Sequence, residues 1–141
     1  LRFVIPAGFN REREREMTLS YDPQNSCAIY ARVAHESTEE IDRQVAACAF
    51  RASELDREVH HLFVDNGASG MEIGPSLQRL LEMARFGSFG HLIVQDQVRL
   101  AKSVGLRIFV LTDLATAGVK VEMLSERTWP YEPNVFTPGL R

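Results

Sequence analysis

The sequence predicts an α/β domain with a mostly parallel central sheet of about four to five strands flanked by helices. Two observations carry this reading. Short apolar runs alternate with stretches whose apolar residues recur at helical spacing, from residue 27 to residue 124. Such alternation buries a parallel sheet between helices on both faces. The chain has 141 residues, 45% of them hydrophobic and 25% charged, which suits one globular domain without an internal repeat.

The elements follow in order. Cys27–Val33 is an apolar run and reads as a buried strand. Ser37-Thr38-Glu39-Glu40 is a capping box in which Ser37 accepts from the Glu40 backbone and the Glu40 side chain reaches back. It opens a helix over residues 38–55, with Ile41, Val45, Cys48, Ala52 and Leu55 at helical spacing. Residues 59–64 form a second strand. Residues 75–86 form a helix with Leu77, Leu80, Leu81 and Ala84 on one face and Gly87 as its stop. Residues 92–94 form a third strand. Residues 100–117 read as one helix, placing Leu100, Val104, Ile108, Leu111 and Ala115 on one face, with Gly118 after it. Residues 119–124 form a fourth strand.

The flanks read differently. Residues 1–26 are expected to be a leader or flexible arm. Signs alternate from Arg11 to Glu16 and sum to zero, and Met17 is a candidate start. Residues 127–141 are a Pro-rich tail, and Pro130, Pro133 and Pro138 forbid a continuous helix.

Composition narrows the function classes. No apolar stretch approaches a membrane span and no secretory signal is visible, so a cytoplasmic protein without membrane contact is expected. Cys27 and Cys48 give neither a disulfide framework nor metal spacing and read as small buried thiols. His35, His60, His61 and His91 lack ligand spacing. There is no G-x-G-x-x-G after the first strand and no Walker lysine-serine pair, which disfavours a nucleotide cofactor. The net charge of −3 predicts weak DNA binding by this domain alone, because affinity comes largely from neutralised phosphates. Strong binding would need a partner domain or a dimer.

In open sheets of this kind, ligands sit beyond the carboxyl ends of the strands. Arg32 follows the first strand, Asp65 and Ser69 the second, and Asp96 and Arg99 the third. Arginines there suit a phosphate or a carboxylate. Ser37 is a helix cap in preference to a nucleophile.

Taken together, residues 27–126 resemble the catalytic domain of the serine recombinases, the resolvases and DNA invertases. Tyr30, Arg32 and Val33 match a Tyr-x-Arg-Val motif ending the first strand, and Gln44 matches a glutamine in the following helix. Asp65, Gly67, Ser69 and Gly70 match Asp-x-Gly-x-Ser-Gly. Pro75, Leu77, Leu80 and Leu81 resemble Arg-Pro-x-Leu-x-x-Leu-Leu. Arg99 and Leu100 fall within Asp-Arg-Leu-x-Arg, and Gly118-Val119 precede the last strand. The resemblance implies a resolvase-type fold, cofactor-free DNA strand exchange through a phosphoserine link, and arginines that neutralise the transition state. It also implies a homo-oligomer or a partner recombinase, and a helix and DNA-binding region after the tail, here missing or absent.

The departures fall in the implied site. The nucleophile slot holds Ala34 where the family has serine. Gly74 stands for the arginine before the proline, Val98 for the motif aspartate, and Lys102 for the last arginine. Arg32, Asp65, Ser69 and Arg99 remain. The sequence therefore reads as a degenerate, cleavage-incompetent recombinase domain, a pseudoenzyme. Two alternatives stay open: a non-enzymatic module that regulates or pairs with an active recombinase, and a flavodoxin-like binder of a small ligand.

Overall fold

The computed structural model describes residues 22–125. The elements are β1 (Cys27–Val33), α1 (Thr38–Glu54), β2 (Val59–Asn66), α2 (Pro75–Arg85), β3 (His91–Val94), a short α3 (Gln97–Leu100), α4 (Val104–Thr116) and β4 (Lys120–Met123). The leader and the Pro-rich tail lie almost wholly outside the described residues.

The four strands form one parallel sheet in the order β2-β1-β3-β4. All seven residues of β1 are buried, as a central strand covered on both faces requires. Strand alternation divides them between two layers. Ala28 and Tyr30 pack with Leu77, Leu80 and Leu81 of α2 and Val110, Leu111 and Leu114 of α4. Cys27 and Ile29 pack against Cys48 and Ala52 of α1, and Ala31 and Val33 against Ile41 and Val45. Burying one large apolar side chain is worth about 1.5–3 kcal/mol, so β1 holds both layers to a common plane.

The fold class stands, with local corrections. The expected helix over residues 100–117 is broken. Ala101 is extended (φ −165°, ψ 137°), and Ser103 caps a new helix by accepting from the Leu106 amide. The expected inward face also differs. Val104 and Ile108 are exposed, while Val110, Leu111 and Leu114 turn inward. This helix is apolar nearly all round, so periodicity alone does not choose its buried side. Leu55, also expected inward, is an exposed C-cap. β2 runs two residues further than expected, to Asn66, because Asn66 still pairs with Val33.

Candidate active site

The carboxyl ends of β1, β2 and β3 meet at one edge, and three ties, two between backbones and one to a side chain, join their loops. The Val33 carbonyl accepts from the amides of Gly67 and Ala68, both at 2.9 Å. The Gly70 carbonyl accepts from the Lys102 amide at 2.8 Å. The Ser37 amide donates to Asn66 Oδ1 at 2.8 Å. The capping box is thus half formed. Ser37 Oγ accepts from the Glu40 amide at 3.2 Å, but the Glu40 side chain turns to Arg43 and Arg99 because Asn66 already satisfies the Ser37 amide.

Arg32 is 3% exposed, and its guanidinium donates to three backbone carbonyls. Nε reaches Arg99 O at 3.0 Å, Nη1 reaches Ala68 O at 2.6 Å, and Nη2 reaches Val98 O at 2.7 Å. Gly70 lies directly over it: a Cβ there would sit 2.7 Å from Arg32 Cζ. The side chain of buried Gln44 brackets the Arg32 backbone, accepting from its amide at 3.2 Å and donating to its carbonyl at 3.0 Å. β3 has ended by this level, its last residue Val94 pairing with Tyr30, so Gln44 supplies the partner that a strand would. Burial lowers the pKa of Arg32, although arginine keeps its charge in proteins.

Asp65 works on the neighbouring strand. Its Oδ2 accepts from the Tyr30 hydroxyl at 2.8 Å and the Leu77 amide at 3.0 Å, and its Oδ1 accepts from the Ser76 amide at 3.0 Å. It therefore caps α2 from outside the helix, where the N-cap residue Gly74 has no side chain to do so. Burial and the Asp65 contact push the Tyr30 hydroxyl well above the usual tyrosine range.

Arg99 and Lys102 are the more accessible cations. Arg99 follows Asp96, whose Oδ1 caps α3 by accepting the Arg99 amide at 3.0 Å. Its Nη1 lies 3.4 Å from Arg32 O and its Nη2 3.5 Å from Glu40 Oε2. Its Nε is buried without a hydrogen-bond partner among the described residues. Lys102 is exposed, as are Ala34 and Ser69, and Ser69 Oγ accepts from the Met71 amide at 3.1 Å. The fold thus gathers Arg32, Asp65, Arg99 and their loops at one edge, with Ala34 in the loop leaving β1. The edge offers positive charge for an oxyanion but no hydroxyl at position 34.

The profile of the family described as resolvase, N-terminal domain, matches residues 27–135. The chain belongs to this family. This resolvase domain is similar in structure to the N-terminal catalytic domain of TP901-1 integrase, with 25% identity and a TM-score of 0.71 over 79% of this chain and 88% of that one. It also shares its fold with the C-terminal catalytic domain of ISC1926 TnpA, an IS607-like serine recombinase, at 22% identity and a TM-score of 0.66 over 78% and 77% of the two chains. A resolvase family site-specific recombinase from Streptococcus pneumoniae matches at 20% identity and a TM-score of 0.64, over 79% and 82%. No curated protein matches the chain significantly.

Some working residues of this resolvase domain were not singled out by sequence reasoning. Tyr30 enters the sequence motif only as a strand residue, yet its hydroxyl holds Asp65. Glu40 belongs to the capping box by sequence, yet it faces Arg99. A tyrosine in an otherwise aliphatic strand is a signal for the first, since a buried phenol needs a partner. Nothing local signals the second. No cluster of metal-ligating side chains occurs among the described residues, and none of their helices is long and apolar enough to cross a membrane.

Proposed function

We propose that this resolvase domain takes part in DNA recombination by holding a DNA phosphate at the Arg99–Lys102 edge without cleaving the strand. The single observation that carries this reading is Ala34, exposed immediately after the Tyr30-x-Arg32-Val33 motif. Phosphoserine chemistry needs an oxygen nucleophile at that point, and alanine has none. Ser37 is no substitute, because its hydroxyl accepts the Glu40 amide as a helix cap. Ser69 stands in the 65–70 loop, where its hydroxyl accepts the Met71 amide. Arg32 is a fixed charge beneath the site, since its donors face carbonyls. Arg99 and Lys102 are left to meet the phosphate, with Lys102 as a point charge instead of a two-pronged grip. Binding to one domain is weak, and a second copy or a partner recombinase strengthens it.

The test is denaturing electrophoresis of labelled, nicked duplexes taken from DNA flanking the coding sequence, after incubation with the chain and with Ala34→Ser. The unmodified chain forms no covalent adduct. Ala34→Ser forms one slowly, because losing one preorganised transition-state donor typically lowers the rate by about 10²–10³, and both Gly74 and Lys102 weaken such contacts. An adduct from the unmodified chain, mapped to Ser37 or Ser69, overturns the reading.

A further inference from the structure

We propose that the amino-terminal edge of the sheet, opposite the site above, carries a second anion site, formed by Arg57, His91 and Lys120 and suited to a phosphate-type oxyanion. The sheet register builds it. His91 opens β3, and its partners are Cys27 on β1 and Lys120 on β4. Arg57 arrives from the turn that ends α1. There Asp56 takes a left-handed conformation (φ 57°), the Asp56 amide donates to Ser53 O and the Arg57 amide to Ala52 O. These residues line a cavity of about 170 Å³ with Cys27 in its wall.

The charge balance of this cavity is one-sided. Among the described residues Glu122 is the one lining carboxylate, and its Oε2 is bonded at 3.0 Å to Arg51 Nε, an arginine that also pairs with Glu54. Neither Arg57 nor Lys120 has a carboxylate within ion-pair distance among the described residues. Arg57 and Lys120 are therefore two cations left without a carboxylate, and His91 in the same lining offers a neutral imidazole to a counter-ion. The mutual influence is visible in His91, whose pKa is lowered first by burial and then by Arg57 and Lys120. The C-terminal dipole of α1 accounts for one nearby cation, not for both Arg57 and Lys120. Size sets the ligand class. At roughly 30 Å³ per water, the cavity has the volume of about six waters. That is below the ~300 Å³ at which small-molecule pockets begin, and it leaves room for a phosphate group.

The test titrates the 141-residue chain with sodium phosphate against sodium chloride at equal ionic strength, following amide shifts by NMR. Saturable shifts at Cys27, Arg57, His91 and Lys120 are expected. Arg57→Gln and Lys120→Gln each weaken that binding by about tenfold, while Arg79→Gln, which removes an exposed charge on α2, leaves it unchanged. A second titration with a short DNA duplex reads the same amides. Competition with phosphate identifies a nucleic-acid phosphodiester as the source, and its absence identifies the free ion. Shifts confined to Arg99 and Lys102, a linear response without saturation, or binding unaltered by both substitutions overturns the proposal. Because the readout is taken at His91 and Lys120, failure here is separable from failure at the opposite edge.

Discussion

Arg32 and Asp65 face each other across β1 and β2, and a salt bridge between them is the obvious expectation. None forms. Asp65 is occupied by the Tyr30 hydroxyl and two amides of α2, and Arg32 by three carbonyls. Arg32 is solvated by backbone carbonyls beneath the 68–70 loop, and Asp65 by two amides and a phenol. A buried charge held this way serves structure first. Arg32→Ala removes three charge-assisted bonds, each typically worth about 1.5–3 kcal/mol and not additive. The expected loss is roughly 2–4 kcal/mol in urea denaturation, with Arg32→Lys recovering only part because a single ammonium cannot span three carbonyls. A loss within ~0.5 kcal/mol, the range of neutral surface changes, would show that the clamp is idle.

At the scale of elements, the sharpest constraint is the start of α2. Gly74 has ordinary extended angles (φ −72°, ψ 166°), so its conformation does not require glycine. Its surroundings do. A Cβ there would lie 2.6 Å from Asp65 Oδ2, and that oxygen cannot retreat without releasing Tyr30 and the Leu77 amide. The cap by Asp65 and the absence of a side chain at position 74 are one arrangement. Gly74→Ala is therefore expected to destabilise by about 1–3 kcal/mol, the usual range for overpacking. Gly74→Arg, which reinstates the residue the family motif carries, is expected to do so at least as strongly. Thermal denaturation of both variants tests this. A stable Gly74→Arg would mean that the Asp65 cap yields easily, and that the missing arginine is absent for other reasons.

At the scale of the whole molecule, the buried core carries acids that ionise reluctantly. Burial pushes Cys27 up to about 11 and Cys48 to about 12, each from an ordinary 9.0. Tyr30 moves in the same direction, through burial and then Asp65. For an acid whose folded pKa is raised, stability is fully present below the unfolded pKa and is lost as pH rises through the folded value. Stability is thus expected to be unaffected by these groups below about pH 9. Above that it falls, each group that ionises only in the unfolded chain adding about 1.4 kcal/mol per pH unit. Urea denaturation between pH 8 and 10.5 checks it, and Tyr30→Phe should flatten the slope only near and above about pH 10, where an unfolded tyrosine ionises. A flat profile in the unmodified chain would show that these groups ionise as readily folded as unfolded.

The sequence by itself determined the alternation of strands and helices, the burial of β1, and the residues that reach the carboxyl edge. It did so because these are matters of local periodicity: a run such as Cys27–Val33 has no polar side to show water, and its polar residue Arg32 falls near the strand end. Position 34 was equally legible, since the absence of a hydroxyl needs no coordinates. The tertiary structure decided which face of α4 is buried, because a helix apolar on every side takes its orientation from its neighbours. It also decided the partners of the charges. Asp65 meets α2, Arg32 meets the loops of two other strands, and Glu40 meets Arg99, all between segments distant in sequence. Spacing along a chain fixes which way a side chain leaves its own element. Only the packing of elements fixes what stands opposite it.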